Sequence, residues 1–303
     1  MKDKIVVIGS SNIDLIMKMD HLPTVGETVA DAEFLQVYGG KGANQAVAAA
    51  RAGGNVAFIS CVGEDAYTPQ MLQNYKDDGI DEQFVFQEKS LTSGHALIMI
   101  GDAGNNYISV APGANYALNR DRIRSALHLI NEAAMIILQY EILEDTIQYV
   151  IDLAREKQIP VMWNFAPAHE VNSDYIGKTS ILVVNEVEAE FLSKITIKNQ
   201  DSAEETAKQL LKNGIEIVII TLGSQGAMAF TFSEKHFVPA FSVDSVDTTA
   251  AGDVFCGSFA VAHIEGKSLK ESILFANAAA ALCVTKLGAQ PSAPKRIEID
   301  EFL

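Results

Sequence analysis

Between Val246 and Asp253 the chain reads Val-Asp-Thr-Thr-Ala-Ala-Gly-Asp, and from Val254 to Ile264 it turns apolar over a helix-length run. Small residues at Ala250, Ala251 and Gly252 allow a tight turn into a helix whose first N–H groups have no intrahelical acceptor. Such a turn is an anion site, suited to charge developing on a transferring phosphoryl group. Asp253, in the first turn beside it, is placed to accept the proton of an attacking alcohol. Aspartate also occupies this position simply to cap a helix or complement its dipole, and spacing alone leaves both roles open.

Four other clusters carry polar chemistry. Gly39-Gly40-Lys41-Gly42-Ala43-Asn44 opens a helix, and its glycines permit close backbone approach to a ligand or simply a tight turn; it lacks the spacing of a Walker A loop. In Gly9-Ser10-Ser11-Asn12-Ile13-Asp14, extended backbone puts Asn12 and Asp14 on one side, an amide and a carboxylate suited to a pair of sugar hydroxyls. An Asx turn is the alternative. Asn185 and Glu188 share one face of a helix start. They suit either the water shell of Mg²⁺ near phosphates or a capping box. Thr221-Leu222-Gly223-Ser224-Gln225-Gly226 closes a strand with a polar turn fit for a nucleotide or for a plain connection. Glu141 is a single carboxylate at the end of another strand. No histidine pairs with a serine or cysteine at a triad spacing.

The elements that must position these residues alternate. Apolar strand-length runs at Ile5–Ile8, Val56–Cys61, Met135–Gln139, Val161–Asn164, Ile181–Val184 and Ile217–Thr221 are separated by helical patterns at Ala43–Ala52, Arg120–Glu132, Leu143–Gln158, Glu186–Ser193 and Ala203–Asn213. Strands apolar on both faces, alternating with helices, predict an α/β fold, a doubly wound, mostly parallel sheet between helical layers. Two stretches, about 14–38 and 93–112, read instead as strand with Gly and Pro punctuation, and suggest a small β-sheet lid on a single domain spanning 1–303.

Bulk chemistry narrows the class. The 303 residues include 39 Asp+Glu against 23 Lys+Arg, a net charge of −16, which argues against nucleic acid or an anionic membrane as partner. An anionic substrate must then be held by local N–H groups and a cation. Cys61, Cys256 and Cys283 form neither a disulfide framework nor a zinc spacing. The apolar N-terminal run is too short for a signal peptide and no run is long enough to span a membrane, so a cytoplasmic protein is expected. Gly9-Ser10-Ser11-Asn12 lacks the glycine fingerprint of a dinucleotide-binding oxidoreductase.

Taken in order, Asn12-x-Asp14, Gly39-Gly40-Lys41-Gly42-x-Asn44, Asn185-x-x-Glu188, Thr221-x-Gly223 and Asp247-Thr248 through Gly252-Asp253 resemble the ribokinase family, the phosphofructokinase B-type carbohydrate kinases, over nearly the whole chain. Pro23-Thr24-Val25-Gly26-Glu27-Thr28 and Gly288-Ala289-Gln290-Pro291-Ser292 extend the likeness. The resemblance implies an ATP-dependent kinase that phosphorylates D-ribose at O5, with Asp253 as base and the amides of Ala250, Ala251 and Gly252 as anion hole. It places the sugar on Asn12, Asp14, Gly40, Lys41, Gly42, Asn44, Glu141 and Asp253. The nucleotide falls on Asn185, Thr221, Gly223, Gly226, Gly252 and Asn277, with Glu188 acting on Mg²⁺ through water. It implies K⁺ held by Asp247, Thr249, Cys283, Lys286, Gly288 and Ser292, several through carbonyls, and a homodimer joined through the lid. Asn277 stands where some relatives have His, and Ile13 and Met17, near the sugar residues, are candidates for tuning preference. Deoxyribose, fructose or a nucleoside are the competing acceptors. A non-catalytic sugar- or nucleotide-binding regulator is the competing class, against which the intact Gly252-Asp253 speaks.

Overall fold

A computed structural model describes residues 3–101 and 105–303. The strands are β1 (Lys4–Ile8), β2 (Asn12–Met19), β3 (Glu33–Gly39), β4 (Asn55–Gly63), β5 (Asp81–Glu88), β6 (Gly94–Gly101), β7 (Asn106–Ala111), β8 (Ala133–Leu138), β9 (Val161–Asn164), β10 (Ile181–Asn185), β11 (Ile217–Thr221), β12 (Gly226–Phe230) and β13 (Lys235–Pro239). The helices are α1 (Lys41–Arg51), α2 (Thr68–Asp77), α3 (Arg120–Ser125), α4 (Leu127–Glu132), α5 (Glu144–Glu156), α6 (Ser173–Ile176), α7 (Glu186–Ser193), α8 (Gln200–Leu211), α9 (Ala251–Ile264), α10 (Leu269–Val284) and α11 (Arg296–Phe302).

Nine strands form the large sheet in the order β13-β12-β11-β10-β9-β8-β1-β4-β5. Strands β11 to β5 run parallel, and β12 and β13 add an antiparallel edge. Alternation along each strand sends side chains to two cores. Ile5 and Val7 pack into one with α1, α9 and α10, and Val6 and Ile8 into the other with α5, α7 and α8. A strand buried on both faces needs apolar residues at every position. That is why Ile5–Ile8 in β1, Ala133–Leu138 in β8 and Ile181–Val184 in β10 read as unbroken apolar runs.

All six expected strands form. The pattern over Arg120–Glu132 predicts one helix, whereas the chain makes two, α3 and α4, meeting at Ala126. There the Ala126 and Leu129 amides bond three residues back, to Ile123 and Ala126, tightening the turn and breaking the α-helical ladder.

A second sheet, β3-β2-β6-β7, uses residues from the two irregular stretches; positions 102–104 of the second stretch lie outside the described residues. Strand β2 pairs antiparallel with β3 and parallel with β6, and β6 pairs antiparallel with β7. Gly9-Ser10-Ser11 alone separates the end of β1 from Asn12 at the start of β2, so one short segment links both sheets. Among the described residues no helix is long and apolar enough to cross a membrane.

Candidate active site

The carboxyl ends of the parallel strands converge where α1 and α9 begin, the edge at which open α/β sheets bind ligands. Lys41, Asn164, Asn185, Glu188, Thr221, Thr248 and Ala250 to Asp253 line a cavity of about 240 Å³ there. Asn185 and Thr221 stand side by side as the last register pair of β10 and β11.

Asp253 is buried and held through both oxygens. Asn44 Nδ2 donates to Oδ2 at 2.9 Å and Gln45 Nε2 to Oδ1 at 2.9 Å. Gln45 Nε2 also donates to Asn164 Oδ1, and Gln139 Nε2 donates to Gln45 Oε1. No side chain caps α9, and Ala250 enters it at φ 61°, the left-handed region. The Ala251 amide turns back to the Thr248 carbonyl at 3.2 Å. The Gly252 and Asp253 amides are therefore the ones best placed to meet an anion. A Cβ on Gly252 would find no atom within 4 Å, so the space in front of it is open.

The residues expected to hold a sugar gather next to Asp253. Asn12 and Asp14 are both buried on one face of β2, opposite Gly39 and Val37. A Cβ on Gly39 would lie 2.1 Å from Asp14 Oδ2, and one on Gly42 would lie 2.6 Å from the Gly9 carbonyl carbon and the Ser10 nitrogen. Glycine at these positions lets α1 close onto the first turn of the chain. Glu141 Oε2 accepts the Ser10 hydroxyl at 2.5 Å and the Lys41 amide at 3.0 Å, clamping the two loops together. Asn44 Oδ1 is buried without a hydrogen-bond partner, as an acceptor awaiting a ligand hydroxyl would be.

Charge in this corner is crowded. Burial, then the neighbouring carboxylates Glu141 and Asp253, push Asp14 up to about 7 against a smaller pull from Lys41. Burial works to lower the Lys41 ammonium, but Asp253, Glu141 and Glu188 together hold it above its ordinary value. Glu188 is raised by burial despite accepting the Asn185 N–H and facing Lys41. Asn185 and Glu188 do form a capping box, at 2.8 and 2.9 Å. The cap and the wall of the cavity are thus the same residues, so the two readings of this motif are compatible.

A second cleft of about 400 Å³ shares Thr248 and Ala251 with the first and is lined by Gly223, Phe241, Val243, Asn277, Ala280 and Val284 among others. Its apolar walls suit a flat heteroaromatic base. Asn277 Nδ2 donates to the carbonyls of Val238 and Pro239, so its amide ties α10 to β13. Gly226 lines neither cavity; its φ of 113° and a Cβ position 2.2 Å from the Val238 carbonyl show a turn packed against β13.

The expected cation ligands lie together behind α9. Asp247 Oδ1 accepts the Thr249 amide and hydroxyl at 2.9 and 2.6 Å, and Oδ2 accepts the Gly288 amide at 2.9 Å. Burial opposes the Asp247 charge, but these donors win and hold its carboxyl below its usual value. Among the described residues the Thr249 carbonyl accepts from the weak donor Cys283 Sγ at 3.7 Å, and Cys283 Sγ lies 3.0 Å from Ser292 Oγ. This oxygen-rich turn fits a monovalent cation. Lys286 turns its ammonium to Glu298, so its backbone alone is available.

Two expectations need correction. Ile13 and Met17 alternate to the opposite face of β2 from Asn12 and Asp14, and Ile13 is sealed in the core. The apolar residue of β2 that shares the Asp14 face is Ile16. Sequence reasoning also missed Gln45, Gln139 and Asn164. The available signal was a polar residue closing an apolar strand, at Gln139 and Asn164, and a glutamine directly after Asn44.

The chain matches the model of the pfkB family carbohydrate kinases over residues 2–296. It is 37% identical to a ribokinase of Haemophilus influenzae over 303 residues, covering 100% of this chain and 99% of that one. A ribokinase of Bacillus subtilis is 38% identical, with 99% of both chains covered. Among solved structures, an Arabidopsis thaliana ribokinase complexed with ribose and ATP superposes with a TM-score of 0.91 at 31% identity, covering 100% of this chain and 99% of the other.

Proposed function

This chain belongs to the pfkB family of carbohydrate kinases, and from that premise we propose that it transfers the γ-phosphoryl group of ATP to the O5 hydroxyl of D-ribose with Asp253 as catalytic base. One observation carries the reading: a buried carboxylate, fixed through both oxygens by Asn44 and Gln45, stands at the uncapped start of α9 between the buried Asn12/Asp14 pair and the apolar cleft.

In this mechanism Asn12, Asp14, Asn44, Glu141 and the Gly40–Gly42 backbone hold the pentose so that O5–H faces Asp253. The proton passes to Asp253 as the O5–P bond forms and the bond from phosphorus to the β,γ-bridging oxygen breaks, leaving ADP and ribose 5-phosphate. The Gly252 and Asp253 amides, with the Ala250–Ala251 turn that aims them, meet charge on the transferring group. The Lys41 ammonium, beside Asp253 and Glu188, adds a fixed positive charge. Glu188 and Asn185 would hold the water shell of Mg²⁺, which shields phosphate charge. Asp247, the carbonyls of Thr249, Cys283, Lys286 and Gly288, and Ser292 would hold K⁺, which lends positive potential behind the start of α9. The base of ATP would sit against Phe241, Val243 and Ala280 near Asn277, with Thr221 and Gly223 nearer its phosphates.

The small sheet would serve as lid and as dimer contact. Phe34, Leu97 and Tyr107 on one face and Ile108 and Val110 on the other are exposed apolar side chains, more than an isolated lid would leave to water.

The test is ADP release with ribose, deoxyribose, fructose, ribulose and nucleosides as acceptors. Ribose giving the highest kcat/KM supports the reading, and preference for another acceptor replaces the substrate while keeping the site.

A further inference from the structure

The face of β2 that carries Asn12 is tied to a distant loop by a buried polar chain. Asn12 Oδ1 accepts from Asn115 Nδ2 at 2.7 Å, and Asn115 Oδ1 accepts the Ser11 amide at 2.9 Å. Ser11 Oγ lies 2.6 Å from the Tyr75 hydroxyl, and the side chain of Gln290 lies beside that hydroxyl. Gln290 Nε2 reaches in addition towards the Gly39 carbonyl at 3.5 Å. Ser11 and Tyr75 are wholly buried, and Asn12, Asn115 and Gln290 nearly so. Water cannot replace a link that is lost there, so each removal leaves a buried polar group unpaired.

We propose that Tyr75 is a positioning residue for the sugar site, joining the 290–292 turn to Asn12 through its hydroxyl. Its place in the fold fits that task. Tyr75 sits on α2, which contributes no residue to either cavity, and its ring packs edge-on against Phe58 with centroids 5.4 Å apart. The ring alone would fill this part of the core, so the packing leaves the hydroxyl unexplained. At the far end Gln290 is held in its own right: Arg51 Nη1 donates to the Gln290 carbonyl at 2.7 Å and to the Ala293 carbonyl at 3.1 Å. Arg51 closes the helix that Lys41 opens, so the 290–292 turn, α1 and β2 form one braced unit. Through Ser292 this unit also touches the turn assigned above to K⁺.

The inference rests on the reading that Asn12 binds the sugar, and it is tested by calorimetric titration of ribose, and separately of ADP, into the wild type, Tyr75→Phe, Gln290→Leu and the double variant. Tyr75→Phe keeps the ring and its packing. Each single variant is expected to bind ribose about 5- to 30-fold more weakly, the loss of one buried hydrogen bond, with ADP affinity unchanged. The double variant is expected to be no weaker than the weaker single, because both break one chain. Wild-type ribose affinity in Tyr75→Phe, an equal loss for ADP, or losses that multiply in the double variant each overturn the inference alone. A wild type that binds no sugar of the panel overturns the proposed function and this inference with it.

Discussion

Gln45 Nε2 lies 2.9 Å from Asp253 Oδ1, while its carbonyl accepts from Gln139. The acceptor role of Oε1 fixes which end of the amide faces Asp253, so Gln45 donates and cannot flip without breaking the Gln139 contact. With Asn44 on the other oxygen, this donor locks the direction of the carboxylate.

Gln45→Leu is therefore expected to lower kcat/KM by about 10- to 100-fold, the worth of a hydrogen bond to a charged group. It should also lower Tm, because Gln139 and Asn164 lose their partner. Steady-state kinetics with a melting curve checks this; unchanged kinetics would show that Asn44 alone suffices to orient Asp253.

Asp14 gives a pH signature with two opposite signs. Its pKa rises on folding from 3.8 to about 7, so the folded chain binds the proton more tightly than the unfolded one. The stability it contributes is present below about pH 4 and is lost as pH rises through about 7. Sugar binding runs the other way, since the ionised carboxylate is the better acceptor of hydroxyls. The ribose KM should fall as pH rises from 6 to 8, and Asp14→Asn should flatten that trend while its Tm gains on the wild type over the same range. A wild-type KM indifferent to pH would remove Asp14 from the sugar site.

Two glycines should respond in contrary ways to alanine. A Cβ on Gly42 would press on the backbone of Gly9 and Ser10, so Gly42→Ala is expected to cost about 1–3 kcal/mol of stability. Gly252 has open space before it, so Gly252→Ala should gain about 0.4–1 kcal/mol yet lower kcat roughly 10-fold or more by crowding the phosphoryl position. Denaturant melts and turnover, measured together, separate the two; a fully active Gly252→Ala would move the phosphoryl group elsewhere.

Activity is expected to be higher in K⁺ than in Na⁺ and to lose that difference in Asp247→Ala, which removes the carboxylate organising Thr249 and Gly288. Turnover at constant ionic strength in the two salts checks it, and a wild type that ignores the exchange would leave the turn without a cation.

The large sheet was legible because parallel strands buried on both faces must be apolar throughout, as Ile181–Val184 and Ile217–Ile220 are. Helix α10 was not: Ala276, Ala278, Ala279 and Ala281 are all buried, so the helix is apolar around most of its girth and lacks an amphipathic stripe. At the site, motifs anchored by glycine and acid residues stood out by composition, but spacing left their roles open and only their order along the chain suggested a family. The Gln45, Gln139 and Asn164 amides were not, because their meaning lies in a contact between strands and helices far apart in the chain. Ile13 shows the limit from the other side: adjacency to Asn12 suggested the sugar, but strand alternation turns it into the core.

The most direct test is Asp253→Asn, assayed for turnover and, by calorimetry, for ribose binding. The amide keeps the shape but cannot take a proton, so kcat should fall by roughly 10²-fold or more with ribose affinity within a few-fold of wild type. Turnover near the wild-type rate with ribose still bound would contradict Asp253 as the base.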